Sequence, residues 1–192
     1  MRERILSRVR RALEHRPSPV LPDPLALPGL SREEALALFT ERLSGNGGEV
    51  VRLPDLEGAR GWLEGFARSF SGAAVGKTLP DALRPPLPEL PPEEAPLGVS
   101  WALGAVAETG TVIVSSEEGR RLQLLPPTHL AFIPQGKVFA TLGEALAEFK
   151  DRLPSALALH SGPSKSADIG QIMVRGVHGP GRLIAALLAW EG

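Results

Sequence analysis

A chain of 192 residues with 43% apolar residues is long enough for one domain with a real core, or for one domain and an arm. Its 21 basic and 22 acidic residues nearly cancel, which argues against a general nucleic-acid binder while leaving room for a local basic patch. Cysteine and tyrosine are absent, so these residues supply no disulfide, thiol nucleophile, cysteine-ligated zinc or iron–sulfur cluster, or phenolic acid or base.

No apolar run reaches the roughly eighteen residues of a membrane span, so none is predicted. The first residues lack the apolar centre of a secretory signal, and a cytoplasmic location is expected. Arg2 to Arg16 reads as a helix, with Ile5, Leu6, Val9, Ala12 and Leu13 forming one apolar stripe. Six arginines face two glutamates on the rest of it, about four net positive charges. The expected place for this helix is against its own domain or a second subunit; a membrane-surface or nucleic-acid role is weakened by the lack of an aromatic anchor. Five prolines between Pro17 and Pro28 make an extended linker, which sets residues 1–30 apart as an arm and 31–192 as the domain.

Ser31 with Glu34 forms a capping-box pattern for a second helix that runs to about Leu43 and stops at Ser44-Gly45-Asn46-Gly47-Gly48. Glu49 to Leu53 reads as a strand, Asp55 to Phe70 as a helix and Ala73 to Val75 as a strand. This alternation predicts an α/β fold with an open, mostly parallel sheet. Seven prolines between Pro80 and Pro96 predict an irregular, partly mobile surface excursion. Ala105 to Val114 is an apolar strand-like run interrupted at Glu108-Thr109-Gly110-Thr111, followed by a charged turn at Ser115 to Arg121. His129 to Pro134 reads as a buried strand, Gly143 to Leu153 as a helix and Ala156 to Leu159 as a strand. A short helix is expected over Asp168 to Val174. Arg182 to Trp190 stays ambiguous: its alanines and leucines favour helix, its length and position a final strand.

Three polar groupings carry possible chemistry. Glu108 in its apolar setting suits a general base or a carboxylate nucleophile in acyl transfer, with Thr109, Gly110 and Thr111 as anion-binding groups beside it. The plainer reading is a turn carboxylate that accepts from the N–H groups of Gly110 and Thr111. Gly162 to Asp168 joins small residues to the donors Ser164, Lys165 and Ser166, ahead of the expected helix opened by Asp168. That is a plausible cradle for a small carboxylate or phosphate, or an ordinary capped turn. His178, set before Gly179 in Gly176 to Pro180, is reachable by a ligand as a candidate catalytic group, or bonds within its turn. A metal site from His160, Asp168 and His178 matches no strong ligand spacing, and a Ser164–Asp168–His178 triad lacks a nucleophile elbow, so no metal is expected. Arg120, Arg121 and His129 either face solvent or reach a substrate carboxylate.

The segments Ala107-Glu108-Thr109-Gly110-Thr111, Leu125-Pro126-Pro127-Thr128-His129, Gly162 to Ile169 and Gly176 to Pro180 stand in an order and spacing that resemble the lactate utilisation protein C family, the LUD domain. The likeness runs over roughly Leu97 to Gly181. It implies a fold similar to the sugar-isomerase and CoA-transferase class (NagB/RpiA/CoA-transferase-like), with helices on both faces of the sheet. It also implies a part in bacterial use of L-lactate, beside two iron–sulfur partner subunits that oxidise lactate to pyruvate. Any cluster would then sit in those partners, with no cofactor in this chain; a homo-oligomer is possible. Two alternatives stand beside this reading: a stand-alone acyl- or CoA-transferase-like enzyme with Glu108 as nucleophile, and a scaffold subunit without a small-molecule site. Whether Glu108 and the Gly162–Asp168 loop share one cavity discriminates among them.

Overall fold

The structure, a computed structural model, describes residues 2–14, 29–167 and 173–190. Helix α1 (Arg2–Glu14) is followed by α2 (Arg32–Gly45), β1 (Glu49–Leu53), α3 (Leu56–Ala67), β2 (Ala73–Val75), β3 (Leu97–Trp101), β4 (Gly104–Val106) and β5 (Thr111–Ser115). Then come α4 (Arg120–Leu124), β6 (Thr128–Pro134), β7 (Val138–Phe139), α5 (Leu142–Phe149), β8 (Leu157–His160), β9 (Lys165–Ala167), β10 (Met173–Arg175) and β11 (Arg182–Leu188).

The central sheet is parallel throughout, in the order β1-β11-β6-β3-β2. Strand β11 lies inside it, between β1 and β6, which settles the Arg182–Trp190 ambiguity. Leu183, Ala185 and Leu187 enter one core, while Ile184, Ala186 and Leu188 enter the other. Burial on both faces overrides the helical preference of alanine and leucine. Helix α3 covers one face through Ala59 and Leu63; α2 covers the other through Ala35, Leu36, Phe39 and Leu43. The fold is therefore α/β, with a mostly parallel sheet and helices on both faces.

A second sheet, β7-β4-β5-β8, shares the α2 side, and α5 packs on it through Ala145 and Phe149. The Ala105–Val114 run is thus not one strand. Glu108 to Gly110 lie in the turn that joins β4 to β5 in an antiparallel hairpin. The capping box at Ser31 forms as expected, with the Ser31 side chain accepting from Glu34 N–H and the Glu34 carboxylate accepting from Ser31 N–H.

Three expectations need correction. The short helix over Asp168–Val174 is contradicted at its end: Met173–Arg175 pair as a strand with Lys165–Ala167, while residues 168–172, Asp168 among them, lie outside the described residues. The proline-rich excursion is irregular but not simply superficial. Leu83 and Ala95 are buried, and Ala73 N–H and Leu90 N–H bond across to Pro88 O and Ala73 O. Helix α1 does not bury its stripe on its own domain; none of its residues is buried. Its apolar side chains join none of the cores, so among the described residues nothing offsets their exposure.

Candidate functional site

The loop after β8 and the turn before β11 meet beside the start of β11. Ser164 knits them together: its N–H donates to Pro180 O at 2.8 Å, its carbonyl accepts from Gly176 N–H at 3.0 Å, and its Oγ accepts from His178 N–H at 3.2 Å. A cavity of 270 Å³ opens there, lined among others by His160, Ser161, Ser164, Lys165, His178 and Gly179. Two groupings read separately in the sequence therefore form one site, of a size for a small anion.

Among the described residues, no helix N-terminus lines this cavity. Lys165 continues into β9, and its Nζ donates to the carbonyl of Asn46, the residue that caps the C-terminal end of α2. The lysine charge thus lies at the negative end of that helix while still lining the cavity. Hydroxyls approach from the hairpin side: Thr109 Oγ1 pairs with Thr111 Oγ1 at 2.6 Å, and Thr111 Oγ1 with Ser161 Oγ at 2.6 Å. Thr109 and Thr111 reach the cavity only through Ser161. Ser166 lies in β9 and is not among the residues lining the cavity.

The Glu108 carboxylate turns elsewhere. It accepts from Leu142 N–H at 2.9 Å, so it satisfies one of the unpaired donors at the start of α5. Neither the hydrogen bonds to Gly110 and Thr111 N–H nor a place on the cavity wall is observed for it. Gly110 is held for space: at φ 62°, a Cβ there would lie 2.3 Å from Leu43 N and 2.6 Å from Arg42 C. The turn is thus wedged against the backbone of α2.

Behind the cavity lies a histidine pair that sequence reading did not bring together. His129 is fully buried in β6, with Nε2 2.7 Å from Ser100 Oγ, and its ring meets that of His160 edge-on at 5.6 Å between centroids. Nδ1 of His129 and Nε2 of His160 are both buried without a hydrogen-bond partner. Burial, assisted by the neighbouring His160, pushes the His129 pKa down to about 3; burial also lowers that of His160. Both imidazoles are therefore neutral in the folded protein at pH 7. As pH falls below about 6.5 the unfolded chain takes up a proton that folded His129 refuses, so stability drops by about 1.4 kcal/mol per pH unit on its account, and His160 adds to the fall in the same direction. For His129 this continues until its folded form titrates near pH 3. Denaturant unfolding between pH 7 and about pH 5.5, above the range where ordinary carboxylates titrate, checks this. His129→Gln should flatten the slope by about one proton; an unchanged slope would contradict it.

Sequence reading also missed Glu118. The charged turn Ser115–Arg121 holds this carboxylate 2% exposed. Oε1 accepts from Thr78 N–H at 2.8 Å and from the Thr78 hydroxyl, and Oε2 accepts from Trp101 N–H at 2.9 Å. It borders a larger cavity of 860 Å³ whose rim carries Lys77, Arg120 and Arg121. Arg120 and Arg121 are themselves exposed, and Arg121 pairs with Glu93 at 2.8 Å. No group of three metal-ligating side chains occurs among the described residues.

Comparison with known proteins bears on what such a chain does. The LUD domain model matches residues 93–188, half of the chain. Over 96 residues the chain is 38% identical to "Lactate utilization protein C" of Bacillus licheniformis, covering 46% of this chain and 40% of that protein. The protein of the same name from Halalkalibacterium halodurans is 39% identical over 96 residues, 46% of this chain and 42% of that protein. The matches thus take in well under two thirds of these relatives. A crystal structure of a DUF162 family protein from Deinococcus radiodurans superposes with a TM-score of 0.66 at 20% identity, covering 84% of this chain and 100% of that one, a likeness of fold.

Proposed function

Because the chain belongs to the LUD domain family, we propose that it serves in bacterial lactate utilisation, as a subunit that holds a small carboxylate beside iron–sulfur partners oxidising L-lactate to pyruvate. The observation that carries the site is the cavity where Ser161, Ser164, Lys165 and His178 converge. One lysine and several hydroxyls suit a short hydroxy acid: the cation and O–H donors meet its carboxylate, and the His160 imidazole, kept neutral by burial, meets its hydroxyl. The names of the relatives supply the substrate class; the chemistry of the cavity supplies the anion.

Oxidising lactate removes two electrons, and the cysteine-free chain contributes no cluster ligands for them. In this reading the electrons pass through the partner subunits and this chain binds or positions. Reconstitution tests it. The purified chain alone should be colourless and inactive with lactate and an artificial acceptor; adding the iron–sulfur subunits should give turnover, and leaving this chain out should reduce it at least about tenfold, a loss of about 1.4 kcal/mol. Lys165→Ala with Ser164→Ala should raise the lactate concentration needed. Glu108→Gln keeps an acceptor for Leu142 N–H and should leave turnover unchanged, with stability altered by less than about 1 kcal/mol. Turnover lost in Glu108→Gln with the fold intact would favour the acyl-transfer reading. Undiminished turnover with the chain omitted would refute a part in the oxidation.

A further inference from the structure

Helix α1 presents a complete amphipathic surface that the domain leaves uncovered. Ile5, Val9 and Leu13 are 57%, 50% and 55% exposed, with Leu6 partly covered. At 3.6 residues per turn these four occupy an arc of about 100° around Val9. Arg8 and Arg10, its chain neighbours, stand about 100° to either side, and Arg4 and Arg11 lie on the opposite face. Five arginines in this helix face two glutamates, Glu3 and Glu14.

We infer that α1 is a peripheral anchor for an anionic lipid surface. A 13-residue helix is marginal in water by itself, so its ordered form gains from a surface that offers both apolar burial and negative charge. An anionic bilayer offers both: the aliphatic stripe enters the boundary of the acyl chains, and the arginines on its flanks extend along it to reach the headgroups. Other occupants satisfy only one demand. Nucleic acid pairs with the arginines but leaves the stripe in water. A second α1 covers the stripe but sets Arg8 and Arg10 of both copies along one seam. The exposed apolar residues Leu124, Leu125 and Val177 border a cavity with Arg175, and Arg120 and Arg121 precede them on α4, so that patch repels an arginine-rich helix. The stripe has no aromatic anchor, so attachment depends on charge and is reversible by salt.

Vesicle flotation of the full chain tests this, using vesicles of phosphatidylcholine alone and of equal parts phosphatidylcholine and phosphatidylglycerol. The chain should float with the anionic vesicles at low ionic strength, stay behind with the neutral ones, and be released at about 0.5 M salt, where screening is nearly complete beyond a few ångströms. Val9→Glu should lower partitioning about tenfold or more. Arg8→Glu with Arg10→Glu should lower it about 25-fold or more. Both variants should keep the melting temperature of the parent, because α1 buries nothing in the domain. The inference is overturned if the chain does not float with anionic vesicles, or if Val9→Glu floats as well as the parent, which would reduce the effect to unspecific charge. A vesicle-free dimer abolished by Val9→Glu would equally overturn it, by making a second copy the occupant.

Discussion

Gly110→Ala unfolds the protein at a temperature about 5–20 °C lower than the parent, following a loss of about 2–6 kcal/mol. Two costs combine. At φ 62° an alanine sits in the left-handed region that L side chains rarely adopt, and its Cβ meets the α2 backbone at Leu43 and Arg42. Backbone cannot swing aside as the end of a side chain does, so either α2 or the β4–β5 turn must move. The same movement strains the Asn46 Nδ2–Thr109 O bond and the hydroxyl chain from Thr109 through Thr111 to Ser161. Thermal or urea unfolding measures the loss. Parent stability in Gly110→Ala would show that the helix and the turn are not in contact as described.

Replacing Glu118 has a comparable effect for a different reason. Glu118→Ala strands Trp101 N–H and Thr78 N–H, at about 1–3 kcal/mol each, and leaves a void where the side chain was, for a total of about 3–5 kcal/mol. Glu118→Gln fills the void but still costs about 1–3 kcal/mol, because both carboxylate oxygens accept from N–H groups and the amide nitrogen is a donor. The neighbour Gly76 is coupled to this: a Cβ there would lie 1.8 Å from Glu118 Oε2, so Gly76→Ala expels the carboxylate. Urea unfolding of the three variants should rank Glu118→Ala least stable and Glu118→Gln between it and the parent. A fully stable Glu118→Ala would show that water replaces the carboxylate without loss.

Local signals were readable in advance and distant ones were not. The capping box at Ser31 is made by residues three apart in sequence, so it can be read off directly. The strands read at Glu49–Leu53 and His129–Pro134 were equally plain from their apolar runs, the second starting one residue earlier in the structure, at Thr128. Glu108 was visible as an unusual carboxylate, but its partner Leu142 lies 34 residues on, and no spacing rule announces that bond. Glu117 and Glu118 are adjacent and identical in type; only the packing of β2 and β3 decides that Glu118 goes inside. The β9–β10 hairpin was masked by small and polar residues that suit a capped turn as well as a strand edge. Ser164 and Gly176–Pro180 were each visible as part of a polar cluster, but no spacing announces that they meet, and the Glu108 carboxylate bonds the start of α5 instead of joining them.

The carboxylate site is tested most directly by an amide NMR titration of the full chain with L-lactate. The account predicts saturable shifts at Ser161, Gly162, Ser164, Lys165, His178 and Gly179, the wall of the 270 Å³ cavity, and weaker binding in Lys165→Ala. No shift at millimolar lactate would contradict it. So would shifts confined to Glu108, Gly110 and Leu142, or to the cavity rimmed by Lys77 and Arg120.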